Sequence, residues 1–343
     1  MRLLSTLALL SAALPVSALG CGTTPGAVMR LVSTLLAALP AATALAPIER
    51  RTLFKGAAAA STISAAPALA KGSVGGPSVK LCDGTQFPVV SFGLQVYDDE
   101  AAYKYTTLAL ECGYRNFFAS VLAGNQKGFG KAVRNSGIPR DELYICGSVL
   151  SNRARGEEAA FQSTKRGCDA NFRDLGIGKL DMIMLDYPGP DAESIQGQWR
   201  GLENMRKDGG VTSLAVSNFS PQQLDVVLKS PGRCTVNQLP LGVGYKTKQN
   251  AELLRENKKR SVLVQAWSPL RVLSSGALSA CAAVGKQYGK TPQQIALKWI
   301  LAKGATYTCQ TTSKKHFQED IDVFDFELSA KDLAFLDGEN LVL

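Results

Sequence analysis

The chain has 343 residues, of which 45% are hydrophobic and 20% charged, and it carries a formal net charge of +9. That composition belongs to a globular protein rather than a disordered or collagen-like one, and the length allows one large domain or two small ones. Net +4 of the +9 lies in residues 1–70, so the +5 left over residues 71–343 is too dilute to suggest a nucleic-acid surface.

Residues 1–70 read as a targeting region. MRLLSTLALLSAALPVSALG has one basic residue, Arg2, an apolar stretch and small residues near its end, as a secretory signal does. Residues 29–46 nearly repeat it, so Met29 is an alternative start to Met1. Then come Arg50-Arg51, Phe54, an Ala-rich core and the A-x-A tripeptide Ala68-Leu69-Ala70, a layout that resembles a twin-arginine export signal. Cleavage near Ala70 leaves residues 71–343 as the mature domain. None of these segments has the 18 or so strongly apolar residues of a stable membrane span. A secretory signal followed by a twin-arginine signal points to the thylakoid lumen of a secondary plastid, with a bacterial periplasm as the alternative.

After a Gly/Pro/Ser hinge, VKLCDGTQFPVV reads as a short hairpin turning at Asp83-Gly84. Eight short apolar runs follow: SFGLQV, YRNFFA, LYICGSV, LDMIML, SLAVS, VNQLPL, SVLVQAW and TYTCQ. Helix-length segments separate them, which implies repeated βα units and a parallel sheet. Helix starts are marked at Ser220-Pro221 with Gln223, at Thr291-Pro292 with Gln294, and at Ser329 with Asp332. Eight such units in about 250 residues is the size of a (β/α)8 TIM barrel. A doubly wound open sheet is the alternative, but no G-x-G-x-x-G follows the first run.

Seven cysteines follow Ala70, none in a C-x-x-C pair, and His316 is the only histidine, so no zinc ligand set is present. Scattered in this way, they indicate buried thiols rather than a disulfide framework, with room for one bridge.

Several stretches are more specific. GIPRDE leading into LYICGSV, then LDMIMLDYPGP, WRGLENMRKDGGVTSLAVSNFS, VNQLPL, VQAWSPL, YGKTPQQIALKWIL and IDVFDFELSAKDLAFLDG, together resemble an aldo-keto reductase, from about Val79 to Gly338. The resemblance implies a TIM barrel closed at its base by the hairpin, with NADP(H) at the C-terminal ends of the strands. It also implies a catalytic Tyr–Lys–Asp–His set in which the Lys lowers the Tyr pKa from about 10 towards the working pH.

Laid on the family's G-Y-R-x-x-D-T-A-x-x-Y-G-N-E loop, Gly113-Tyr114-Arg115 and Gly124-Asn125 match, but the Asp position is Phe118 and the Tyr position Ala123. The Lys position at the end of LYICGS is Ser148, and the His position before Tyr187-Pro188-Gly189-Pro190 is Asp186. All four catalytic side chains are therefore replaced. Tyr97 and Tyr187 lie nearby as stand-ins without a Lys.

For the cofactor, the resemblance assigns Ser217, Asn218 and Gln238 to the nicotinamide carboxamide. It places Trp267, followed by Ser268, where an aromatic ring stacks on the nicotinamide. The positions that hold the 2′-phosphate are Gln310, Thr311 and His316, so two fixed cations are missing, with Lys314 and Lys315 close enough in sequence to substitute in part.

Three functions fit the sequence. One is a catalytically silent barrel serving as a binding or scaffold module, for a small carbonyl ligand or a protein complex in the lumen. Another is an NAD(P)H-dependent carbonyl reductase rewired to use Asp186 as its acid. The third is a thiol function, for which only Cys146 and Cys309, both on expected strands, come forward.

Overall fold

The structure, a computed structural model, describes residues 75–338 except 246, 272 and 274, so the expected targeting region at 1–70 lies outside the described residues. A two-stranded antiparallel hairpin, β1 (Ser78–Lys80) and β2 (Gln86–Pro88), comes first. Its tip is anchored far along the chain. The Asp83 carboxylate accepts from Thr85 N at 3.0 Å and from the Ser213 hydroxyl at 2.6 Å, and Arg233 donates to Cys82 O at 2.7 Å. These contacts fix the hairpin across the N-terminal ends of two later strands, where it closes the base.

Eight parallel strands then form a closed barrel: β3 (Val90–Gly93), β4 (Asn116–Phe118), β5 (Tyr144–Val149), β6 (Leu180–Leu185), β7 (Val211–Ser217), β8 (Cys234–Pro240), β9 (Leu263–Trp267) and β10 (Thr306–Cys309). Each falls within or against one of the eight apolar runs. β10 pairs with β3 through Tyr307↔Val90 and Cys309↔Phe92, which joins the ends of the sheet and leaves no exposed edge. The strands are buried almost without interruption, as expected for a parallel sheet covered by helices.

The helices are α1 (Asp99–Glu111), α2 (Gln126–Asn135), α3 (Glu157–Leu175), α4 (Ala192–Lys207), α5 (Pro221–Val227), α6 (Thr247–Lys259), α7 (Ser275–Tyr288), α8 (Pro292–Ala302), α9 (Lys314–Ile321) and α10 (Ala330–Leu336). Both capping boxes form, Ser220 with Gln223 and Thr291 with Gln294, and Ser329 caps α10 by accepting from Asp332 N. α7 packs with α8 between β9 and β10, and its mildly apolar, Ala- and Ser-rich sequence gives a weak amphipathic signal. No helix among the described residues is long and apolar enough to cross a membrane.

Close helix packing depends on small residues. A Cβ added at Gly197 in α4 would lie 1.9 Å from Glu157 O at the start of α3. Backbone cannot yield as a side-chain tip can, so Gly197→Ala is expected to cost about 3 kcal/mol, read as a lower urea midpoint at unchanged slope.

Candidate active site

The C-terminal ends of β4, β5 and β6 bring the four replaced positions to one rim, but the side chains do not share one cavity. Phe118 ends β4 beside Gly93 and Cys146 and is fully buried. Ala123 is half-buried in the turn at 121–124. Ser148 is also sealed, and its hydroxyl accepts from Val121 N at 2.9 Å, clamping that turn to β5. The side chain at the lysine position therefore positions a loop.

Asp186 differs. It follows β6, donates its N–H to Val149 O at 3.0 Å, and is only 6% exposed. Its Oδ2 is buried without a hydrogen-bond partner. Burial pushes the carboxyl up to about 7, opposed by the neighbouring Ser148 hydroxyl. The group is therefore neutral below about pH 7, and in that form it can donate a proton.

A cavity of about 210 Å³ opens beside it, bounded by Asp186, Tyr187, Asn218, Gln238 and Trp267 among others. Phe118, Ala123 and Ser148 do not line it. Among the described residues its wall carries no Lys, Arg or His, and Asp186 is the sole charged group lining it. Ser120 and Thr308 also line it, and each holds a buried hydroxyl without a partner. Val96 and Leu122, both largely exposed, form the apolar lip.

The residues expected to hold a nicotinamide are brought together. Ser217 and Gln238 are register partners on β7 and β8, and Gln238 Nε2 donates to Gln265 Oε1 at 2.8 Å. Asn218 donates to Ser217 Oγ at 3.0 Å and to Asp186 O at 3.1 Å, and accepts from the Trp267 indole N–H at 3.2 Å. This network links the carboxamide residues to Trp267 and to the replaced histidine position. Asn218 (φ 65) and Ser268 (φ 48) adopt the left-handed backbone conformation. Asn tolerates it and Ser does so less readily, so both strand ends are held in strained turns facing the cavity. Sequence reasoning found these residues but not the strain, and it missed Ser120 and Thr308 because isolated hydroxyl residues carry no motif.

The cavity continues into a cleft of about 480 Å³ that shares Val96, Ser268, Thr308 and Gln310 and adds Arg271, the only charged residue along it among the described residues. Thr311 lies beyond, its hydroxyl 3.3 Å from His316 Nδ1. Lys314 and Lys315 open α9 just beyond these positions, and Lys315 lies 3.7 Å from Glu319. The residues gathered at the nicotinamide end are of the kind that would hold NADP(H), while the expected 2′-phosphate positions Gln310, Thr311 and His316 carry no Lys or Arg.

Tyr97 is not free to replace the lost tyrosine, because its hydroxyl donates to Thr311 O at 3.0 Å and burial pushes its pKa up. Tyr187 reaches the cavity at 41% exposure. The seven cysteines among the described residues are all free thiols, and burial pushes Cys146 and Cys309 well up, so neither is an activated nucleophile. No cluster of metal-ligating side chains occurs among the described residues.

Comparison with known proteins accords with this geometry. The sequence model of the aldo/keto reductase family matches residues 89–340. An aldo-keto reductase of Mycolicibacterium vanbaalenii is 31% identical over 263 residues, covering 76% of this chain and 91% of the relative. A crystal structure of an aldo/keto reductase from Brucella melitensis superposes with a TM-score of 0.69 at 27% identity, covering 77% of this chain and 99% of that one. A Bombyx mori aldo-keto reductase in complex with NADP, 21% identical with a TM-score of 0.68, covers 78% of this chain and 92% of its own and shares the fold. By sequence and by fold, the chain belongs to the aldo/keto reductase family.

Proposed function

We propose that this barrel binds a small ligand at its C-terminal mouth and does not carry out the tyrosine-based carbonyl reduction of its family. One observation carries this: the Lys-position residue Ser148 is sealed and bonded to Val121 N, while Phe118 and Ala123 offer no transferable proton. NADP(H), when bound, supplies hydride. Ser217, Asn218 and Gln238 would orient its carboxamide and Trp267 would cover the ring, but no side chain equivalent to the family's acid stands ready.

The neutral Asp186 carboxyl beside the cavity favours a second reading, a reductase that uses this carboxyl as its acid. Its rate would fall above about pH 7 and vanish in Asp186→Asn. Titrating residues 71–343 with NADPH and NADH, followed by Trp267 fluorescence, tests the site itself. The two cofactors are expected to bind within about threefold of each other, since no fixed cation matches the 2′-phosphate. A strong NADPH preference, or no response to either, would show that the cofactor end has been misassigned.

We also propose that the protein acts in a lumen, as the order of the two signal-like segments supports, where its ligand is a small carbonyl compound or its partner a protein complex. Replacing Arg50 and Arg51 with Lys is expected to stop export of the full chain. Unchanged export would remove the twin-arginine assignment.

A further inference from the structure

Not every cavity of the barrel lies at its mouth. A cleft of about 570 Å³ opens at the opposite end, between the hairpin, the starts of β9 and β10, α6 and α10. Its size lies within the roughly 300–1,000 Å³ of small-molecule sites.

The walls and the lip differ in character. The walls are aliphatic: Leu81, Leu254, Val262, Leu263 and Leu333 come from four separate elements. Four cations line the cleft, Lys80, Arg255, Lys258 and Lys303, against a single carboxylate, Asp337. Lys303 is held by Asp337, and Arg255 lies within 3.7 Å of Glu252 and 3.5 Å of Glu256. Lys80 on β1 and Lys258 on α6 have no ion-pair partner among the described residues.

A cation at a helix C-terminus offsets the carbonyl ends there, and this accounts for Lys258 in the last turn of α6. It does not account for Lys80, which lies on a strand and reaches the same cleft from the other side. An aliphatic trough with two unpaired ammonium groups at its edge matches one ligand chemistry, an alkyl chain ending in an anion. A bare phosphate would leave the walls unfilled, and a neutral hydrocarbon would leave the lysines unused. We infer that the base of the barrel binds a free, single-chain fatty carboxylate, its chain against Leu254 and Leu333 and its head between Lys80 and Lys258.

The test is calorimetric titration of residues 71–343 with dodecanoate, dodecanol and dodecyltrimethylammonium, each below its micellar concentration. Dodecanoate is expected to bind most tightly and to lose about tenfold in affinity in the K80E/K258E double variant, with dodecanol little changed. Both lysines are exposed, so that variant is expected to fold. Ala334→Trp, which fills the cleft from an exposed position on α10, is expected to abolish binding of both dodecanoate and dodecanol. Trp267→Phe at the mouth is expected to leave dodecanoate binding intact. Equal affinity for the three amphiphiles, preference for the ammonium, or dodecanoate binding that survives both base variants would overturn the assignment.

Discussion

Residues 71–343 are expected to reduce no ordinary aldehyde above background with either NADPH or NADH. Hydride delivered to a carbonyl leaves a developing alkoxide, and tuned proton transfer to such an oxygen is typically worth 10²–10⁴-fold. Among the described residues the cavity wall offers no cation to that charge, and the side chains at three of the four catalytic positions do not line it. Rebuilding the set as Phe118→Asp, Ala123→Tyr, Ser148→Lys and Asp186→His is expected to restore activity by about 10²-fold over the unmodified chain, the lower end of that range. Full recovery is not expected, because Ser148→Lys also removes the hydroxyl that holds the 121–124 turn on which the new tyrosine would sit. Single restorations are expected to yield nothing measurable, since groups that act as a unit lose most of their effect with the first member missing. Robust activity in the unmodified chain, lost in Asp186→Asn, would instead establish Asp186 as the acid.

Stability is expected to fall as pH rises from 5 to 8. Two buried carboxyls, Asp186 and Asp320, are each pushed up to about 7, chiefly by burial. A carboxyl with a raised folded pKa holds its proton in the native state at pH values where the unfolded chain has released it. Its stabilising contribution is therefore full below the unfolded value near 4 and is lost as pH rises through about 7. Between pH 5 and 8 each group accounts for about 3 kcal/mol. Exposed carboxylates whose pKa is lowered, such as Asp225 held by Arg260, change protonation below this window and do not mask it. Asp186→Asn and Asp320→Asn should each remove about half of the slope and together flatten it, as measured by urea unfolding at fixed ionic strength. A wild-type profile already flat between pH 5 and 8 would contradict the burial that the fold assigns to these two groups.

The barrel was legible because its signals are local and repeated. Eight apolar runs with turn residues between them, and N-caps such as Ser220 and Thr291, each specify one element, and the order of the elements specifies the closure. The replaced positions were legible because Gly113-Tyr114-Arg115 and Gly124-Asn125 fix a register that admits no gap, so Phe118 and Ala123 could be counted off. What the sequence could not show was orientation. Ser148 and Asp186 are both small polar residues at strand ends, yet one turns to a backbone N–H and the other to the cavity, and only packed neighbours decide which. The same holds for Lys315, whose number places it beside the phosphate positions while the helix sets it 3.7 Å from Glu319. The cleft at the base left no trace at all, because its walls come from segments far apart in the chain.

The hairpin has a consequence for the order of assembly. Its tip, Asp83, is bonded to Ser213, a partner 130 residues later, and Cys82 Sγ meets Cys234 O 152 residues on. Contacts across such intervals bear the largest loop-closure entropy and form late. The hairpin is thus expected to be among the last of the described segments to dock, and until then Phe87, which ends buried against Tyr144, stays exposed. A growing chain that has not yet delivered Cys234 has nowhere to seat its hairpin.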